Sequence, residues 1–226
     1  MRLADLSLGD FGAELASGSP APGGGSAAAL VGNLGAALAG MVAELTIGKK
    51  AYAGSEALMR GVRSEAEARR YALLELVDRD AEAFRSLREA SAMPKNTDGQ
   101  RWARTGARLD AKRRCVEAPL KVMEHSLAML RQIESALGGF NPNAASDVGV
   151  AALCLKAAAQ GAWMNVLINT GGAASSHAHG ERGGSCGPCG ASGRIGAGGG
   201  GRRSRRRTRL RACRRFRLRA SLRSRQ

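Results

Sequence analysis

The chain lacks the opening of a secreted protein. Met1-Arg2-Leu3-Ala4-Asp5 leads on to Asp10 and Glu14 with no apolar run between them. No signal peptide is read there, and a cytoplasmic location follows. Cysteine is scarce in the first three quarters of the chain, where only Cys115 and Cys154 occur. They stand far apart on helical segments, which excludes a disulfide scaffold and reads as reduced thiols. The alternation of apolar and polar residues that marks half-buried strands is missing up to residue 170. The stretch 23–43 has no charge, which raises the question of a membrane span. It is mostly Ala and Gly, interrupted by Gly32, Asn33, Gly35 and Gly40. A buried helix of a soluble fold is therefore the better reading, and no membrane partner is expected.

The formal charge of +16 points at first to nucleic acid or an anionic surface. Its location removes that clue. Residues 1–172 carry 20 Lys and Arg against 18 Asp and Glu, whereas residues 173–226 carry 15 Arg, no Lys and one acid, Glu181. The basic character belongs to a tail of Gly, Ser, Arg and Cys that reads as disordered. Its arginines, from Arg202 to Arg225, would hold nucleic acid only through non-specific contacts. Cys186-Gly187-Pro188-Cys189 has thioredoxin-like spacing, and His177 and His179 add zinc-ligand types, but no strand or βα unit surrounds them. No metal site is assigned.

What is present is helical: an all-α bundle of about five helices over residues 1–172. A first helix covers about residues 6–17. The segment Ser17-Gly18-Ser19-Pro20-Ala21-Pro22-Gly23-Gly24-Gly25-Ser26 breaks it, and Ser26 is the expected cap of a second helix running to about residue 47, before Gly48. Ala28, Gly32, Ala36 and Gly40 form a smooth stripe that admits another helix at close range. Leu30, Leu34, Leu38, Met41 and Leu45 line the other side, so this helix is apolar nearly all round. A third helix spans about 55–92. A fourth opens at Thr97 or Asp98 and runs to about 138, with a kink or break at Pro119. A fifth, capped by Asn143 or Ser146, continues to about 169 with only Asp147 and Lys156 charged. Two such apolar helices are more than a small bundle covers alone, which points to a homodimer.

Candidate chemistry follows from position. Pro22-Gly23-Gly24-Gly25-Ser26 opens a helix, where unpaired N–H groups and small side chains would admit an anionic group, or where a serine simply caps a flexible connection. Asp80 lies on the apolar face formed by Val62, Ala66, Leu73, Leu76, Val77, Phe84 and Leu87. A carboxylate there needs either a structural ion pair or a function. Asp147 sits in a first helical turn, where the dipole alone would favour it. Lys156 would snorkel. Lys49 and Lys50 suit a polyanionic ligand or plain solvation, and Asn165 and Asn169 make a polar pair one turn apart.

These positions occur in an order that resembles a known family. Ser19-Pro20-Ala21-Pro22-Gly23-Gly24-Gly25-Ser26, then Met41-Val42-Ala43-Glu44-Leu45-Thr46-Ile47-Gly48-Lys49-Lys50, are similar to the opening of formiminotetrahydrofolate cyclodeaminases. Asp80-Ala81-Glu82-Ala83-Phe84, Asn143-Ala144-Ala145-Ser146-Asp147-Val148-Gly149 and Asn165-Val166-Leu167-Ile168-Asn169 resemble its later motifs. The likeness covers about residues 5–172. It implies a dimeric all-helical fold and one of two reactions. In cyclodeamination, 5-formiminotetrahydrofolate gives 5,10-methenyltetrahydrofolate and ammonia. In the cyclohydrolase reaction, the methenyl compound opens to 10-formyltetrahydrofolate. Both need positioning and proton transfer, so no cofactor or metal is expected beyond the folate substrate. Motif position and the burial argument point to Asp80 as general acid and base, with Asp147 second. Pro22, Gly23, Gly24, Gly25, Ser26, Lys49, Lys50, Asn143, Asn165 and Asn169 would then position the substrate. A binding protein without catalysis is the competing class. The family would continue after Gly172 with a further helix of mixed charge. A shifted reading frame in GC-rich DNA would produce the arginine tail in its place.

Overall fold

The computed structural model describes residues 2–171, and every regular element among them is helical. The expectations for the tail, including its disorder, its Cys-x-x-Cys pair and the shifted frame, lie outside the described residues. Five α-helices follow one another: α1 (Leu8–Ala16), α2 (Gly24–Glu44), α3 (Glu56–Ala92), α4 (Asp98–Ser135) and α5 (Ala145–Asn169). Short 3₁₀ turns occupy Leu3–Asp5, Lys50–Ser55 and Pro142–Ala144.

Capping chemistry sets several of these boundaries. Ser7 accepts the Asp10 N–H at 3.1 Å and so starts α1 two residues later than the composition suggests. Thr97 and Gln100 form a reciprocal capping box at the start of α4. Two expected caps are corrected. The residue before α2 is Gly23, and Ser26 is turned into the interior instead of capping. Neither Asn143 nor Ser146 caps α5. Asn141 accepts the Asn143 N–H at 3.1 Å, and the resulting 3₁₀ turn leads straight into the helix. At the other end, α2 stops at Glu44, and Gly48 takes φ +76°, a turn conformation that a side chain would strain.

Helix α2 is central, packed between α3 and α5 with α4 behind it. Its glycines set the distances. A Cβ on Gly32 would come within 3.2 Å of both Ala158 Cβ and Leu73 Cδ2. The tightest approach to α5 is at Gly35, just off the expected stripe, where an added Cβ would lie 2.8 Å from Leu155 Cγ. The core consists of residues such as Val42, Met59, Leu73, Met129 and Leu155, each with no more than a trace of exposure. Burying such a side chain is worth roughly 1.5–3 kcal/mol.

As expected for two apolar helices in a small bundle, the single chain covers α2 and α5 on one side only. Both are long and apolar enough, by length and composition, to cross a membrane, yet each buries one side in this bundle and leaves the other open. On α5, Ala151, Leu155, Ala158 and Ala162 are buried, while Leu153, Met164 and Ile168 are each about two thirds exposed. On α2, Leu34, Met41 and Leu45 are exposed. Helices α3 and α4, at 37 and 38 residues, outrun α2 and α5 at 21 and 25. Phe84, expected in the core, is accordingly 40% exposed: α3 has by then passed the start of α2.

Pro119 does not end α4, which runs unbroken through it. A proline lacks the N–H that would bond the carbonyl four residues back, here that of Cys115. Asn169 takes its place, its Nδ2 donating to the Cys115 carbonyl at 2.8 Å. The orphan created on α4 is satisfied from α5, and the two helices are joined where α5 ends.

The close approach at Gly35 gives a paired test. Gly35→Ala is expected to lower unfolding stability by about 1–3 kcal/mol through overpacking. Gly61→Ala, on an exposed part of α3 with open space around it, should raise it by about 0.5–1 kcal/mol. Denaturant midpoints of the two variants check both signs.

Candidate active site

Where α2 begins, α3 passes and α5 ends, a cavity of about 330 Å³ opens. Gly23, Gly24 and Gly25 form one wall, Asp80 and Phe84 another, and Asn165 and Asn169 a third. A larger hollow of about 600 Å³ lies beside α1, but it mixes Arg2 and Arg85 with Asp10 and Glu14 and gathers no single chemistry.

Asp80 is the centre of the smaller cavity. Its Oδ2 accepts from the Ser26 hydroxyl at 3.0 Å, and the same hydroxyl lies 3.0 Å from the Val77 carbonyl. Gly25 makes this seat possible, because any Cβ there would collide with both carboxylate oxygens. The first turn of α2 therefore holds an anion supplied by the protein itself. Among the described residues no Lys, Arg or His forms an ion pair with Asp80, so the structural ion pair is not what this carboxylate makes. Burial pushes its carboxyl above the usual carboxylate range, and the hydroxyl and backbone N–H of Ser26 pull the other way without cancelling the rise. Such a group holds a proton nearer to neutrality than an ordinary aspartate, as an acid–base catalyst requires.

The two amides present acceptors. Asn165 Nδ2 donates to the Gly161 carbonyl at 2.9 Å, and Asn169 Nδ2 is spent on Cys115. Each keeps its Oδ1 for a donor on a ligand. Cys115 also lines the cavity, with its thiol pushed up by burial and by the charge of Asp80.

The structure brings together only part of the set read from sequence. Gly23, Gly24, Gly25, Asp80, Asn165 and Asn169 converge. Pro22 is buried behind the glycine wall, and Ser26 is fully buried beneath Asp80, so neither lines the cavity. Asp147 is 18 residues up α5 from Asn165, about 27 Å of helix. Lys49 and Lys50 lie beyond the far end of α2, and Asn143 precedes α5 at that same end. There, Tyr52 donates to Asn141 Oδ1 at 3.2 Å, and the Asn141 N–H to Thr46 Oγ1 at 3.0 Å. Phe84, which sequence reasoning placed in the core, and Cys115, read from sequence only as a reduced thiol, also line the cavity. The length of α3 beyond α2 was the signal for Phe84, and Pro119 four residues on was the signal for Cys115.

The raised carboxyl has a consequence for stability. Between the ordinary aspartate value of about 3.9 and the higher folded value, the native state binds more protons than the unfolded chain, so stability falls as pH rises through that window. Asp80→Asn is expected to flatten this fall and to raise the melting temperature at neutral pH. Thermal melts across that range check it, and an unchanged slope would contradict the burial account.

Comparison with known proteins places this geometry. A family profile described as Formiminotransferase-cyclodeaminase matches residues 7–181. The chain is 40% identical to the Formimidoyltransferase-cyclodeaminase of Mus musculus over 74% of its own length, but spans only 31% of that protein. It is 39% identical to the Methenyltetrahydrofolate cyclohydrolase of Methylorubrum extorquens over 70% of its length and 76% of the relative. The crystal structure of a formiminotetrahydrofolate cyclodeaminase from Thermotoga maritima superposes with a TM-score of 0.67 at 31% identity, covering 76% of this chain and 81% of that one.

Proposed function

Because the chain belongs to the formiminotransferase-cyclodeaminase family, we propose that it is an enzyme acting on a one-carbon derivative of tetrahydrofolate, with Asp80 as general acid and base. The observation that carries this is a desolvated carboxylate, without a basic partner among the described residues, set in a cavity beside two free amide oxygens. Those oxygens suit the amino and N–H donors of a pterin ring.

The reaction is cyclodeamination. N10 of 5-formiminotetrahydrofolate attacks the carbon of the protonated formimino group, Asp80 accepts the N10 proton, and it returns that proton to the nitrogen that leaves as ammonia. The bond to N10 forms, the bond to ammonia breaks, and 5,10-methenyltetrahydrofolate remains. One carboxyl poised between its two states serves both halves, and neither half calls for a cofactor. The second reading is the cyclohydrolase reaction, in which Asp80 takes a proton from water as it adds to the methenyl carbon. It is favoured by the cyclohydrolase of M. extorquens, three quarters of which this chain matches.

The exposed apolar sides of α2 and α5 are the proposed homodimer surface, with Leu153, Met164 and Ile168 at its centre. An antiparallel two-fold pairing across it would carry one copy's Lys49, Lys50, Asn143 and Asp147 toward the other's Asp80. The free thiols of Cys115 and Cys154 suit a reducing cytoplasm.

Turnover is followed by the absorbance of methenyltetrahydrofolate, formed from the formimino substrate or consumed by hydrolysis. The wild-type chain is expected to turn over one of the two. Asp80→Asn should lower kcat at least about a hundredfold while folate is still bound. Full turnover in Asp80→Asn would end this assignment. Sedimentation of the same preparations should give a dimer, and Leu153→Lys a monomer.

A further inference from the structure

Ser26 is fully buried, and its hydroxyl has one proton and two acceptors at the same distance: Asp80 Oδ2 and the Val77 carbonyl, each at 3.0 Å. A hydroxyl donates to one acceptor at a time, and it prefers the more negative one. Asp80 lines the cavity with Oδ2 accepting from Ser26, while Oδ1 accepts no side-chain hydrogen bond among the described residues.

We propose that Ser26 is a positioning residue for Asp80: a rotor that donates to Oδ2 while the carboxylate is ionised and turns to the Val77 carbonyl when Oδ1 takes a proton. No proton passes through Ser26. It stays bonded in both states, so neither form of Asp80 leaves a buried hydroxyl without a partner. The ionised carboxylate is thereby held with Oδ2 against Ser26, and the protonated form is released from that bond as the hydroxyl turns to Val77. The inference rests on the reading of Asp80 as the acid and base, and it replaces the substrate-binding role that sequence assigns to Ser26.

Against the larger effect of burial, the Ser26 hydroxyl is the first of the groups that favour the ionised form of Asp80, ahead of the Ser26 backbone N–H. Helix α2 contributes only Gly25 and Ser26. Helix α4 contributes the Cys115 thiol, and α5 the neutral amides of Asn165 and Asn169. On its own helix, Asp78 is engaged by the Leu3 N–H and Arg2, and Arg79 by Glu75. Glu82 lines a groove on the other side of α3.

The test is a carboxyl-carbon NMR titration of Asp-labelled chain, paired with the pH profile of turnover. Ser26→Ala removes a hydrogen bond to the ionised form, so the Asp80 titration should move up by about one to two pH units. The acid limb of kcat should move with it, at unchanged KM. Ser26→Cys, close in size but a weaker donor, should shift both in the same direction by less, and it carries the test if the alanine variant does not fold. A titration unmoved in the folded variant, or a change confined to KM, overturns the proposal. If Asp80→Asn instead keeps full turnover, the catalytic reading fails, while the titration still decides whether Ser26 tunes Asp80.

Discussion

The arrangement turns on one carboxylate seated against the start of one helix. Asp80 is taken largely out of water without a counter-ion among the described residues, a placement that costs free energy. The first turn of α2 offsets part of that cost through the hydroxyl and backbone N–H of Ser26. The seat dictates the local sequence. Gly25 has no Cβ because the carboxylate occupies that space, and Ser26 faces inward instead of capping. A residual penalty survives as a raised carboxyl, which is what proton transfer near neutrality requires.

A second joint locks the site to the bundle. Pro119 removes an N–H from the middle of α4, and Asn169 supplies the missing donor to the Cys115 carbonyl. The same bond orients the Asn169 amide, leaving its oxygen toward the cavity. Packing and site are thus coupled: the residue that repairs a proline defect in one helix is also a wall of the pocket. The glycines of α2 play the complementary part, since the closeness of α5 at Gly35 keeps the amides within reach of Asp80.

The helices and Asp80 were legible in the sequence for a clear reason. Periodicity records which side of a helix is buried, and a lone acid at Asp80 breaks the apolar pattern visibly. Ser26 was misread because a serine at a helix start is usually a cap. Only the position of α3 shows that its hydroxyl has a better partner. The role of Asn169 was hidden too, as it depends on a proline fifty residues away in sequence. Phe84 looked like core because periodicity says nothing of where a neighbouring helix ends. Asp147, Lys49, Lys50 and Asn143 follow one another in motif order but lie at the far end of a helix bundle, a separation that order alone does not reveal.

A crystal structure of this protein with a stable tetrahydrofolate bound tests the account most directly. The account predicts the pterin in the cavity beside α2, donating to Asn165 or Asn169 Oδ1, with Asp80 Oδ1 within hydrogen-bonding distance of the reacting nitrogens. A folate lodged at the far end, held by Lys49, Lys50 and Asp147 of the same chain with the Asp80 cavity left to solvent, would contradict it.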